Sequence, residues 1–561
     1  MTNLETVDPA ASGSVEPLAA PEAIDGHGKP WWRDAVVYQV YVRSFADGNG
    51  DGTGDLAGVR ARLPYLHELG VDALWFNPWY PSPLADNGYD IVDYRGIDPA
   101  FGTLEEAEQL IAAARELGIR TIVDVVPNHV SSRHPWFEAA LAAPPGSSER
   151  ARFWFRSGDE PPNNWQSIFG GSAWTQVPDG DWYLHLFAPG QPDLNWTHPD
   201  VWAEHEDVLR FWFDRGVAGV RIDSAALLVK DPELGEAVDD HPPGAHPYQD
   251  RDDLHDIYRG WRTIADGYAE PRVLVGEVWL PDSERFARYL RPDELHTAFN
   301  FDFLACPWER DRIRESIDTA LAAHAPVDAP ATWVISNHDV TRPVTRYGRE
   351  DTSFSFEAKR EGIPTDLERG TRRARAAALL SMALPGSMYV YQGEELGLPE
   401  VEDIPVERRQ DPMWIRSGGV DPGRAGCRVP SPWAGIEPPF GVSPDGTSTW
   451  LDQPAAWAGL TVEAASSDPS SMLNLYRNGL RMRRAAPWGE DATLTWVPSP
   501  DGSLAFKRGR HFVCLVTFDA DPVELPEGAE VLIASNELAG GAVPPDTTVW
   551  LRPMPNGKEG R

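Results

Sequence analysis

The stretch Gly216-Val217-Ala218-Gly219-Val220-Arg221-Ile222-Asp223-Ser224 decides how this chain is read. Val217, Val220 and Ile222 give it strand character, with glycines where backbones pack closely. Arg221 and Asp223 are two apart, so a strand points both side chains to one face. An arginine beside a carboxylate holds it ionised at neutral pH, which suits a nucleophile and equally suits a structural ion pair. The rest of the chain chooses between them.

Outward from this stretch, short apolar segments alternate with helical ones, the pattern of a parallel sheet. Strands are expected at 35–41, 73–76, 120–126, 217–223, 273–278, 297–303, 332–336 and 388–391. Helical spacing runs through 56–69 and 105–117. Eight strands with intervening helices predict an α/β fold, a (β/α)8 TIM barrel, whose chemistry sits at the C-terminal strand ends. Polar residues stand at those ends: the third strand closes through Asp124 to His129, the fourth with Arg221 and Asp223, the fifth with Glu277. His338 and Asp339 follow the seventh, and Glu394 and Glu395 the eighth. Helix caps alone do not explain so many carboxylates and histidines at successive ends; a pocket does.

A chain of 561 residues is too long for one ordinary core. Residues 29–129 and 200–486 read as the barrel, and 130–199 as a small inserted domain rich in Trp, Pro and Gly. From 487 to 561 short strands predict an antiparallel β domain, and 1–28 reads as a flexible leader. The 23 Trp and 52 Pro point to ordered, aromatic-lined loops. A net charge of −36 argues against nucleic acid or an anionic membrane as partner. Cys306, Cys427 and Cys514 make no disulfide framework, and no apolar run is long enough for a bilayer, so a cytoplasmic protein is expected.

Asp47-Gly48-Asn49-Gly50-Asp51-Gly52-Thr53-Gly54-Asp55 places oxygen side chains at every second position, spaced by glycines, a pattern able to wrap one hard cation. Gly58 stands where a calcium-binding helix–loop–helix would carry its closing Glu. A plain glycine-rich turn is the simpler alternative.

The ordered motifs Asp124–His129, Gln191-Pro192-Asp193-Leu194-Asn195, Gly219–Asp223, Glu277 and Asn337–Asp339 resemble those of the α-amylase superfamily of glycoside hydrolases. The likeness is to its α-glucosidase and oligo-1,6-glucosidase branch and runs from about Trp31 to the C-terminus. The resemblance implies Asp223 as nucleophile, Glu277 as general acid/base and Asp339 as the carboxylate steadying a positively charged sugar. It implies His129 and His338 as hydrogen-bonding partners of glucose hydroxyls, Arg221 as partner of the nucleophile and Tyr89 as an aromatic platform. Asp86 and Arg428 resemble a pair closing the pocket around a non-reducing glucose. Ser224, directly after the nucleophile, resembles a linkage selector. The stretch Gly423–Arg428 departs from the usual pattern, which has an acidic residue where Ala425 stands. The same likeness implies calcium or magnesium held by Asp47, Asn49, Asp51, Asp55 and the Thr53 carbonyl, with no organic cofactor.

The expected activity is retaining, exo-acting hydrolysis of terminal α-linked glucose from maltose and short oligosaccharides, with transfer to other acceptors as a companion outcome, by a monomer or homodimer. Oligo-1,6-glucosidase, an isomerising relative, and a catalytically silent interaction subunit are the alternatives.

Overall fold

A computed structural model describes residues 30–238, 241–356, 361–486, 488, 493–518 and 521–553. The expected leader and the boundary residue Pro487 lie outside the described residues. Eight parallel strands form one sheet: β1 Val36–Val40, β2 Ala73–Phe76, β3 Arg120–Val125, β4 Gly219–Ile222, β5 Val273–Gly276, β6 Thr297–Ala298, β7 Thr332–Val334 and β8 Ser387–Tyr391. Their order, β7-β8-β1-β2-β3-β4-β5-β6, is that of a TIM barrel. The two edge strands meet where Thr297 Oγ1 and Thr332 Oγ1 lie 2.6 Å apart, which brings the ring nearly to closure.

Strand alternation sorts side chains inward and outward. Val37, Trp75, Ile122, Val275 and Tyr389 pack together inside the barrel, with Trp31 in the same cluster. Val36, Leu74, Val123, Val220 and Leu274 join the cluster that packs the helices against the strands. The helix Leu104–Glu116 begins with a capping box between Thr103 and Glu106 and buries Ala107, Leu110, Ile111 and Ala114. Burying each Leu or Ile of that face contributes about 1.5–3 kcal/mol.

Two expected elements differ. The helix expected over 56–69 is two helices, Leu56–Ala61 and Leu63–Leu69, broken beside Pro64, which cannot supply an interior N–H. The sixth strand ends at Ala298, because Asn300 caps a helix over Phe301–Ala305 by accepting from Phe303 N at 3.0 Å.

After β3 the chain forms a three-stranded antiparallel sheet from Phe155–Ser157, Trp174–Gln176 and Asp181–Leu184. Its tryptophans Trp154, Trp165 and Trp174 cluster with Leu234 from the segment after β4. Near the C-terminus a five-stranded antiparallel sheet rests on the helix Leu367–Ala383, through Trp550 Nε1 donating to Leu379 O and Thr548 Oγ1 to Ala376 O. Among the described residues no helix is long and apolar enough to cross a membrane.

Candidate active site

Parallel register sets the site. Asp124 on β3 lies beside Arg221 on β4, and Ile222 beside Gly276 on β5, so Asp223 and Glu277 emerge side by side at the C-terminal end. Asp223 N donates to Val125 O and Glu277 N to Ile222 O, which anchors both residues to the strand tops.

Arg221 organises three carboxylates. Its Nη1 donates to Asp124 Oδ1 at 2.8 Å and Asp223 Oδ1 at 2.7 Å, and its Nη2 lies 2.7 Å from Glu277 Oε2. One planar guanidinium therefore fixes the nucleophile and acid/base candidates relative to each other. Ser224 reinforces this: its N–H donates to Glu277 Oε2 at 2.8 Å and its hydroxyl to Asp223 Oδ2 at 3.0 Å. Ser224 does so in the left-handed region, with φ at 48°. Such a conformation in a non-glycine residue needs surrounding bonds to hold it. Trp279 Nε1 donates to Glu277 Oε1 at 3.1 Å.

The side chains of Asp223, Glu277 and Asp339 are 10, 11 and 14% exposed, whereas that of Asp124 is 0%. The first three can meet a ligand; Asp124 acts behind them. Burial and the facing Glu277 carboxylate push Asp223 well above the usual carboxylate range, against the pull of Arg221. Burial raises Asp124 to about 6, opposed by Arg221. Asp339 goes the other way: burial is overcome by the facing His338 Nε2–H and by the guanidinium charges of Arg424, Arg428 and Arg221, which hold it well below that range.

His338 belongs to a chain of donors. Gln39 Nε2 lies 2.7 Å from Nδ1, which assigns the ring proton to Nε2, facing Tyr89 Oη at 2.8 Å and Asp339 Oδ2 at 3.3 Å. Tyr89 donates to Asp124 Oδ2 at 3.0 Å, and its ring stacks on that of His338 at 5.4 Å and 8°. Burial pushes His338 well below its ordinary value, so it is neutral. His129 is lowered to about 4 by burial, and its Nε2 lies 3.1 Å from Tyr89 O.

The expected pairing of Asp86 with Arg428 is corrected. Asp86 Oδ1 accepts from Arg424 Nη2 at 2.6 Å, while Arg428 Nη2 donates to Asp339 Oδ1 at 2.8 Å and its Nε to His338 O at 2.8 Å. Arg424 also reaches Asp411 Oδ2 at 2.8 Å and Asp339 Oδ1 at 3.0 Å. Asp411 thus meets the charge of Arg424 where the sequence has Ala425. Burial raises Asp86 to about 6 against Arg424.

The structure brings together Asp223, Glu277, Asp339, Arg221, Ser224, Tyr89, His129, His338, Arg428 and Asp86. Sequence reasoning gave Gln191 a place in a motif but no role, and did not single out Gln39, Lys230 or Asp411. Gln191 Nε2 donates to Asp86 Oδ2 at 3.0 Å and lies 3.0 Å from His129 Nε2. Lys230, fully buried, joins Asp193 Oδ2 at 2.8 Å to Asn128 Oδ1 at 2.5 Å and so ties the inserted sheet to the barrel rim. A lysine directly after the apolar run Ala225–Val229 was the visible signal for it.

The residues expected to hold a cation form a separate loop. Asp47 accepts from Gly50 N and Gly52 N, Asn49 from Asp51 N, and Asp51 from Thr53 N. Asp55 accepts from Gly48, Asn49 and Gly58 N–H and caps the helix Leu56–Ala61. The oxygen set suits a hard cation. In this arrangement, though, the loop carboxylates are engaged by backbone, and among the described residues no three His, Cys, Asp or Glu side chains converge as a metal cluster.

Comparison with known proteins fits this geometry. The family described as "Alpha amylase, catalytic domain" matches residues 39–491. The chain is 36% identical over 508 residues to a "Probable alpha-glucosidase" of Rhizobium meliloti (strain 1021), covering 86% of this chain and 87% of that one. It is 36% identical over 516 residues to a "Trehalose-6-phosphate hydrolase" of Escherichia coli (strain K12), covering 84% and 86%. A solved α-glucosyl transfer enzyme superposes with a TM-score of 0.80 at 33% identity, over 93% of this chain and 99% of that one.

Proposed function

This chain belongs to the α-amylase catalytic-domain family of glycoside hydrolases, and from that premise we propose that it is a retaining, exo-acting α-glucosidase. Its substrates are terminal non-reducing α-linked glucose units of maltose and short oligosaccharides. The observation that carries the reading is the Arg221 fork, which holds Asp223 and Glu277 side by side with Asp339 nearby under Arg424 and Arg428.

In this mechanism the ionised form of Asp223, which Arg221 and the Ser224 hydroxyl favour against the effect of burial, attacks the anomeric carbon while Glu277 protonates the departing glycosidic oxygen. Arg221 and the Ser224 hydroxyl hold Asp223 in line as its charge passes to the sugar. The strongly acidic Asp339 stays ionised and faces the positive charge that develops on the ring. Water activated by Glu277 then releases glucose with retained configuration. The Asp86–Arg424 bridge, backed by Gln191, closes the far end of the pocket, which supports attack at chain ends. The solved α-glucosyl transfer enzyme favours a second outcome, in which a sugar hydroxyl replaces water.

Ser224, small and hydroxylated, supports α-1,4 substrates. The buried thiols Cys306, Cys427 and Cys514 support a cytoplasmic setting. The Asp47–Asp55 loop is a structural hard-cation site, supported by its oxygen-rich composition; no catalytic step passes through it. Chromatography of products from maltose, isomaltose, sucrose and trehalose tests the whole reading. Glucose released from maltose is expected; isomerisation of sucrose without hydrolysis of maltose contradicts it.

A further inference from the structure

An acid/base carboxyl has two oxygens, and only one of them can pass the proton. At Glu277 the neighbours decide which. Oε2 already meets Arg221 Nη2 at 2.7 Å and the Ser224 N–H at 2.8 Å. A proton on Oε2 would point into those two donors, so the proton of the acid step belongs on Oε1. Among the described residues Oε1 accepts from one group, Trp279 Nε1 at 3.1 Å.

That indole is held on several sides. Phe301 stacks on it at 3.7 Å and 5°, and Phe356 meets it edge-on at 5.4 Å and 62°. Gln249 Nε2 donates to Trp279 O at 3.3 Å and ties down the backbone. Phe301 is fixed in turn, since Asn300 caps its helix and its ring lies 5.8 Å from that of Phe299. Phe299 packs on Trp75 and Tyr389 inside the barrel, at 5.1 and 4.8 Å. Trp279 therefore stands at the top of an aromatic column rooted in the core, and the column sets the direction of its N–H.

Packing alone would be served by phenylalanine at this position. What the indole adds is one N–H, and that N–H is aimed at Oε1. A carboxyl oxygen has two lone-pair directions; the N–H takes one and leaves the other for the mobile proton. Resting on the reading of Glu277 as acid/base, we propose that Trp279 is a positioning residue. Its N–H selects the lone pair of Glu277 Oε1 through which the proton passes to the glycosidic oxygen.

The dependence of kcat/KM on the leaving group tests this, with phenyl and para-nitrophenyl α-D-glucosides as substrates of nearly equal size. Phenol leaves poorly and depends on the proton; para-nitrophenol leaves readily and depends on it least. Trp279→Phe keeps an aromatic ring on the Phe301 stack and removes the N–H. It should lower kcat/KM about 10-fold on the phenyl glucoside, the scale of one hydrogen bond to a charged group, and about 3-fold or less on the para-nitrophenyl glucoside. A ring that only lines the wall or only supports the fold would lower both alike. Equal losses on the two substrates, or no loss on either, overturn the proposal and leave the α-glucosidase reading standing. Should Trp279→Phe not fold, benzothienylalanine installed at position 279 puts sulfur in place of the N–H, and the same ratio of losses is read. Wild-type protein that cleaves neither glucoside overturns the α-glucosidase reading and this proposal together.

Discussion

Arg424 Nη2 stands 2.6 Å from Asp86 Oδ1, joining a loop after β2 to one beyond β8. The same guanidinium meets Asp411 and Asp339, so one buried cation balances three carboxylates. Removing one partner of such a cluster leaves uncompensated buried charge, whose cost is about 3–5 kcal/mol.

Arg424→Lys keeps the charge and loses the fork, so Asp86 and Asp339 can no longer be held together. The expected result is a roughly 100-fold fall in kcat/KM on maltose, the scale of an ångström-level misplacement, most of it in KM. Arg428→Lys leaves the Asp86 bridge in place and should act mainly on kcat through Asp339. Steady-state kinetics on both variants separates the two roles; equal KM effects would contradict the corrected pairing.

Ser224→Val removes the hydroxyl donated to Asp223 and puts a β-branched side chain at φ near 48°. Activity should fall about 10-fold on every substrate, the scale of one lost hydrogen bond to a charged group. The isomaltose-to-maltose ratio of kcat/KM should rise, because the added branch crowds an α-1,4 aglycone. A ratio unchanged in a folded variant removes Ser224 from linkage selection.

Glu394 gives a pH signature of stability. Burial raises it to about 7, while Ser336 and Tyr476 donate to it. A carboxyl whose folded pKa is raised binds more protons folded than unfolded. Its contribution is fully present below the unfolded value, about 4.5, and is lost as pH rises through about 7. Glu394→Gln should therefore flatten the fall in unfolding free energy between those limits, a difference on the order of 3 kcal/mol. Denaturant titrations at several pH values check this; a parallel wild-type and variant profile contradicts it.

The cation loop predicts a stability effect without a catalytic one. Calcium that binds only the folded protein at 100 times its Kd adds about 2.7 kcal/mol. Chelation should lower Tm, with activity well below the transition unchanged, and Asp51→Ala should abolish the calcium response. A Tm insensitive to both calcium and magnesium removes the cation and leaves a glycine-rich turn held by its own backbone.

Barrel strands were legible because each is a short apolar run between turn residues. The sixth misled: Phe299-Asn300-Phe301-Asp302-Phe303 alternates like a strand, but the Asn300 cap turns it into a helix after Ala298. The strand Thr547–Arg552, central in the C-terminal sheet between Phe512–Thr517 and Glu530–Ala534, was readable from its β-branched run after Pro544 and Pro545, yet was not expected. The carboxylates that meet at the strand ends, Asp223, Glu277 and Asp339, stood out through motif order. The partner of Asp86 was not, since two arginines four residues apart are equivalent until tertiary packing selects one.

The central claim is double displacement at Asp223, and proton NMR of the first-formed sugar tests it most directly. Maltose mixed with a high concentration of enzyme should release α-glucose from its non-reducing end before mutarotation sets in. Asp223→Asn, folded, should release none at a comparable rate. Initial appearance of β-glucose from that end would contradict the account.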